Sequence, residues 1–342
     1  MVNALCLLLV SPQSWNMTLA GDSMLYHISP KKNPLAAVSR ITSASDVFII
    51  NLEIPLTAAG TPTVRKTPEQ VKAKQQFILK ADPAHIKHLV AAGVDAASLG
   101  NNHTMDYGIK GLLEETDLLR KNGIAYCGAG LNLAQATQPC FFQSGRSPKI
   151  GMVSFLAFIG DRHRWMNTPA TSKSAGVAVP PFGSSINKDA KAKMKKIVAD
   201  AKSRSEFVIV ALHGGIERQS VPTKYQVSLA RGFIEAGADV VVGHHPHVLQ
   251  GAELYRGKPI LYSTGNLVNS LPGTTALFHL RYEGSRLVKM ALTPCTIAKG
   301  ATAPMKSQKA KLALRAFDNL SRLAHRKYPD KKARPLISSY KL

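Results

Sequence analysis

Short apolar runs alternate with stretches of helical periodicity along most of this chain. Met17 to Ala20 reads as a strand running into Gly21-Asp22, and Val47 to Ile50 as a second strand ending at Asn51-Leu52-Glu53. Asp82-Pro83 places a capping side chain before a proline at the first helical position, which predicts a helix to about Ala92, stopped by Gly93. Val94 to Leu99 is the next strand and enters Gly100-Asn101-Asn102-His103. Gly108 to Lys121 is helical, Ile124 to Cys127 is a strand, and Lys149 to Phe158 is a long apolar strand. Arg162 to Gly183 is rich in Pro, Ser and Thr and reads as an irregular loop. Asn187 to Lys202 is a basic helix, and Phe207 to Leu212 is a strand that delivers His213. Lys224 to Ala236 is an amphipathic helix, and Asp239 to Val242 is a strand that delivers Gly243-His244-His245-Pro246-His247. Hairpins follow around Arg256-Gly257-Lys258 and Glu283-Gly284-Ser285, then a basic helix near Ser307 to Arg326 and a polar tail.

This order, βα alternation first and mixed hairpins later, predicts an α/β fold with sheets covered by helices. The position of the polar clusters matters most. Asp22, Glu53, Asn102-His103 and His213 each follow a separate strand, and three histidines follow a fifth. Open α/β sheets build their sites at the carboxyl ends of strands. Taken singly, Asp22 and Asn101-Asn102 are ordinary turn formers and Glu53 an ordinary solvated carboxylate. The run from His244 to His247 is different, because three of eleven histidines fall within four positions. Imidazole clusters are common transition-metal sites. With two carboxylates and an amide oxygen they make a mixed nitrogen and oxygen set suited to one or two divalent ions, Mn, Fe or Zn. Two such ions can clamp a phosphoryl group and activate a water.

Charge adds a partner class. Lys and Arg number 44 against 21 Asp and Glu, a formal net charge of +23. Such a field attracts acidic polymer, phosphorylated substrate or anionic lipid. No arginine-rich repeat or aromatic signature points to nucleic acid as the partner. Arg218, shortly after His213, is a candidate contact to phosphate or carboxylate. Arg65, Lys66, Arg162, His163 and Arg164 are placed to meet an acidic group, whereas Lys191, Lys193, Lys195 and Lys196 read as a solvated helix face. The cysteines form no CxxC pair, and Cys127 reads as a buried reduced thiol. The apolar run Ala4 to Val10 is too short to span a bilayer.

Five motifs then follow in a specific order. They are Gly21-Asp22-x-Met24-Leu25, Asn51-Leu52-Glu53-x-Pro55-Leu56-Thr57, Asn101-Asn102-His103-x-x-Asp106-Tyr107-Gly108, His213-Gly214-Gly215, and Gly243-His244-His245-Pro246-His247-Val248-Leu249-Gln250-Gly251. With the closing Tyr262-Ser263-x-Gly265-Asn266-Leu267, the series resembles the CapA/PgsA-type poly-γ-glutamate capsule-synthesis proteins over roughly residues 17–270. That family is similar to the calcineurin-like metallophosphoesterases. The resemblance implies a two-sheet sandwich flanked by helices, α/β/β/α. Residues 1–16 would be an N-terminal extension or truncated export signal, 17–270 the CapA-like domain, and 271–342 a hairpin, basic helix and tail completing it.

The resemblance also implies a ligand set. Asp22 would hold one metal and Glu53 would bridge. Asn102 and His213 would hold the second, joined by His245 and His247, with His244 as the alternative. His103 would be the general acid, oriented by Asp106. Three departures stand out: Met24 occupies the place of a usual histidine, Glu53 that of an aspartate, and Gly214 that of a bulky residue. The implied role is a phosphoesterase-like enzyme of capsule or poly-γ-glutamate biosynthesis, working with membrane-associated synthesis machinery. A non-enzymatic polyanion-binding or anchoring protein is the alternative, and a nucleic-acid phosphodiesterase ranks third. Membrane-associated or exported work is implied, with a cytoplasmic location as the other option.

Overall fold

The structure is a computed structural model that describes residues 13–63, 65–158, 169–183 and 186–341. The Ala4 to Val10 run, Cys6, Arg162, His163 and Arg164 lie outside the described residues.

Among the described residues, two large sheets form the centre. In the first, the strands Ser14–Ser23, Val47–Leu52, Ala96–Ser98 and Ala125–Cys127 run parallel. On its other side Ser14–Ser23 pairs antiparallel with Gly273–Glu283, which continues through Arg286–Ala298 to Ala301–Pro304. In the second sheet, Ile150–Leu156, Phe207–His213, Val240–His244 and Lys258–Leu261 run parallel, with antiparallel strands at both edges.

Strand periodicity sorts the apolar side chains into layers. Phe48 and Ile50 face an outer core with Val38, Leu89, Leu112 and Leu119 from three helices. Val47 and Ile49 face inward and pack with Ile150, Met152, Phe207 and Ile209 of the other sheet. Val208, Val210 and Leu212 point the other way, onto Met194, Val198 and Phe233 of the helices Lys188–Lys202 and Lys224–Glu235. Both faces of the central strands are therefore covered, which is why they read as continuous apolar runs rather than alternating ones. The layer order is α/β/β/α, as expected. Asn187 and Thr223 accept hydrogen bonds from the first turns of those two helices and fix where they start.

Several elements differ from the expectation. Pro83–His85 is a 3₁₀ turn that passes into the helix Ile86–Ala91, rather than one continuous α-helix; Asp82 caps the turn through the Ala84 amide at 2.8 Å. The tail holds a strand, Ala333–Leu336, paired with Ala252–Tyr255. Its Leu336 is buried in the inter-sheet core, with Tyr340 packed against the same core and Ala333 against the outer core of the second sheet. The basic helix, Ser307–Lys327, buries Phe317, Ser321 and Ala324 and leaves its charged face outward. Cys127 is buried and unbridged, and burial raises its thiol well above the usual range. Among the described residues no helix is long and apolar enough to cross a membrane.

Glu115 is fully buried beneath the loop that carries Glu53, and its Oε1 accepts a hydrogen bond from the Leu56 amide at 3.3 Å. Burial pushes this carboxyl well above its ordinary value of 4.5. The folded protein therefore holds a proton that the unfolded chain releases as pH rises past that value, and stability falls over that range. In urea unfolding, Glu115→Gln is expected to be more stable relative to the parent at pH 8 than at pH 4. A stability difference that is flat with pH contradicts a protonated Glu115.

Candidate metal and phosphate site

All the polar clusters singled out from the sequence meet at one end of the sandwich, past the carboxyl ends of the parallel strands. Two glycines let this happen. A Cβ on Gly21 would lie 1.9 Å from the Gly265 carbonyl oxygen, and one on Gly243 would lie 2.1 Å from that of Tyr262. Glycine at both places brings the segment Tyr262 to Gly265 against the two strand ends. The Asp22 amide then donates to Gly265 O at 2.9 Å, and the Thr264 amide to Gly243 O at 3.1 Å.

Asp22 is fully buried and central. It accepts from Asn51 Nδ2 at 2.7 Å and from the His245 amide at 3.1 Å. His247 Nδ1 lies 3.2 Å and His244 Nδ1 3.5 Å from its oxygens. Burial raises its pKa, but the bonded His247 and the other imidazoles outweigh that and hold the carboxylate well below the usual range.

Asn51 Nδ2 also lies 3.2 Å from His213 Nδ1, which leaves His213 Nε2 to donate to Asn102 Oδ1 at 2.7 Å. Asn101 plays a different part. Its Oδ1 accepts from the amides of His103 and Thr104, and it shapes the turn rather than entering the site.

Glu53 is the outlier. It is fully buried, yet neither of its carboxylate oxygens accepts a hydrogen bond. Its Oε1 sits 3.6 Å from both His213 Nε2 and His247 Nε2. Glu53, His245 and His247 present ligand atoms all within 4.8 Å of one another. Burial drives Glu53 well above its ordinary pKa, with the nearby Asp22 adding to the shift. Burial lowers His247, but Glu53 and Asp22 more than reverse this and lift it to about 10. Burial and the neighbouring His245 hold His213 well below its usual value.

The loop geometry is strained where the histidines gather. His245 has φ 96° and His247 φ 58°, in the left-handed region that costs non-glycine residues of order 1–3 kcal/mol each. Asn266 Oδ1 accepts from His247 Nδ1 at 2.9 Å and anchors the second of these. His244 is buried, with Nδ1 3.1 Å from the Thr264 hydroxyl and no hydrogen-bond partner at Nε2.

His103 stands at the edge of this group. Its Nδ1 donates to Asp106 Oδ2 at 2.7 Å, and the ring lines a cleft of about 500 Å³. Lys66 corrects the sequence reading, which had it meeting an acidic substrate. It is buried and pairs with Asp106, donates to Phe77 O at 2.8 Å and Asn102 O at 3.1 Å, and lies 3.2 Å from His103 Nδ1. Burial, reinforced by the Lys66 ammonium, lowers the His103 pKa. Arg218 also lines the cleft, with φ 59° and its amide donating to Pro246 O at 2.8 Å. Met24 lines it too, and its Sδ accepts from Asn269 Nδ2 at 3.2 Å. Asn51, Asn266 and the inward-facing Lys66 were not assigned these roles from sequence. The first two stand inside quoted motifs, which was the only signal available.

The two-sheet architecture is similar to that of a solved phosphatase. A crystal structure described as a novel phosphatase from Mycoplasma pneumoniae is similar, with TM-score 0.52 and 14% identity over 83% of this chain and 94% of that one. That likeness concerns the fold. The chain belongs to the bacterial capsule synthesis protein family PGA_cap, whose model matches residues 16–271. It is 28% identical over 297 residues to the PGA biosynthesis protein CapA of Bacillus subtilis (strain 168), covering 85% of this chain and 69% of that protein. It is 30% identical over 254 residues to a probable polyglutamine synthesis accessory protein of Mycobacterium tuberculosis (strain ATCC 25618 / H37Rv), covering 73% of this chain and 62% of that protein.

Removing Lys66 should leave Asp106 buried without its cation. Lys66→Met is expected to cost about 3–5 kcal/mol in urea unfolding. Adding Asp106→Asn should recover more than half of that loss. A single-variant cost below about 1 kcal/mol would show that the pair is not a buried ion pair in solution.

Proposed function

We propose that this protein is a metal-dependent hydrolase of phosphate esters that serves capsule or poly-γ-glutamate production. The observation that carries this reading is Glu53. A fully buried carboxylate with no hydrogen bond at either oxygen is costly unless a cation completes it. His245 and His247 stand beside it with nitrogen donors. Asp22, Glu53, Asn102, His213, His245 and His247 would hold one or two divalent ions, with His244 the alternative to His245. The mixed nitrogen and oxygen donors suit Mn, Fe or Zn. When bound, such an ion supplies Lewis-acid polarisation of a phosphoryl oxygen and a water of lowered pKa.

The chain's own groups do the rest. Asp22, with its low pKa, brings a permanent negative charge to the site. Arg218 faces the cleft as a partner for a phosphoryl oxygen. Asp106 fixes the His103 ring by its bond to Nδ1, so Nε2 is the nitrogen that exchanges a proton with the leaving oxygen. A bound phosphate would raise the His103 pKa, because its negative charge favours the imidazolium.

A second reading is favoured by two features, the net charge of +23 and Met24 in the place of the usual histidine. On that reading the fold is retained to bind an acidic polymer without turnover. The two separate in one experiment. Purified protein loaded with Mn is assayed on a generic phosphomonoester and phosphodiester, with bound metal measured by mass spectrometry, beside His245→Ala. The expected result is retained Mn and turnover that the variant loses by at least about 100-fold. Protein that takes up no transition metal, with equal and negligible rates in both forms, decides for the binding role.

A further inference from the structure

We propose that the site accepts a phosphate ester whose organic part is apolar, and that this part lies in the cleft beside the histidines. The inference rests on the hydrolase reading for its phosphate end. The cleft, about 500 Å³, falls in the range of small-molecule sites. It is continuous with the site, because His103, His247 and Asn266 form one part of its wall.

The rest of the wall has a different character. Met24, Tyr26, Phe77, Leu79, Leu271 and Ile297 make it largely hydrocarbon and aromatic. Phe77 is 51% exposed and Leu271 62% exposed. Large apolar side chains left in water at the rim of a polar site are better explained by a ligand that covers them than by packing. Met24 suits such a surface, since a thioether adapts to irregular apolar shapes. The Asn269 amide holds its sulfur in place.

Charge decides between an apolar ester and a bare polyanion. The chain carries 44 Lys and Arg, yet no lysine lines the cleft among the described residues. Besides the two histidines, its charged side chains are Arg218 and Glu217. One arginine matches one phosphate head. A polyanion threading the cleft would need a row of cations and would meet Glu217 instead.

Isothermal titration of the Mn-loaded protein with n-octyl phosphate, inorganic phosphate and a short glutamate oligomer tests this. The expected result is at least tenfold tighter binding of octyl phosphate than of inorganic phosphate. Phe77→Ser and Leu271→Ser should each cut that ratio to below threefold. Leu312→Ser, an exposed residue on the basic helix, which does not line the cleft, should leave the ratio as it is. Equal affinity for the two phosphates, or tighter binding of the glutamate oligomer, overturns the inference even where hydrolysis is observed. Retention of the ratio in a protein that hydrolyses no ester overturns the hydrolase reading and leaves the apolar subsite standing. Absence of binding by either phosphate removes both.

Discussion

A single buried carboxylate, Asp22, ties the two sheets together at their carboxyl ends. It ends the central strand of the first sheet and accepts from Asn51 on the neighbouring strand. It also accepts from the His245 amide, in the loop that follows a central strand of the second sheet. The inter-sheet core holds the layers face to face by non-directional burial, which leaves their relative register loosely fixed. Directional bonds at Asp22, joined by the Asn51–His213 and Ser98–Ser154 contacts, fix that register. They also hold His244 and His247 within 3.5 Å and 3.2 Å of one oxygen or the other. The strained backbone at His245 and His247 persists because these bonds and the Asn266 anchor over-determine it.

That arrangement brings two buried carboxylates close together with imidazoles as the neighbouring counter-groups. His247 answers part of the charge, which is why its pKa rises to about 10 while that of Asp22 falls. Glu53 receives less help and is pushed toward its neutral form. A fold selected for stability alone has no reason to retain such a group. Replacing it with an apolar side chain of similar size would remove the desolvation cost. The cost is explained when a ligand supplies the missing charge, and the donor atoms around Glu53 are of the kinds that bind cations.

Much of this was legible before any coordinates. The central strands are apolar on both faces, so Val47 to Ile50 and Phe207 to Leu212 announce themselves as runs. Each then ends at a polar residue, and the ends of parallel strands lie together by construction. Convergence of Asp22, Glu53, Asn102, His213 and His245 therefore followed from topology. The geometry at Lys66 did not. A lysine beside an arginine in a loop reads as a contact for an acidic substrate, and only the fold reveals that Asp106, forty residues later, draws its ammonium inward. The tail strand was hidden for a related reason: Ala333–Leu336 has one buried apolar residue and borrows its strand character from Ala252–Tyr255.

The distribution of charge carries the argument one step further. Three of the four lysines read as a solvated face are indeed paired at the surface, with Glu235, Asp189 and Asp200. The Ser307–Lys327 helix keeps its basic side outward while Phe317 anchors it to the core. Neither helix lines the cleft beside His103. On the proposed reading, the positive field acts at a distance and would draw anionic partners toward the molecule. Selection among them falls to a cleft that offers one arginine and a wall of hydrocarbon. Attraction and recognition are thus carried by different surfaces, and the net charge of +23 by itself says little about what finally binds.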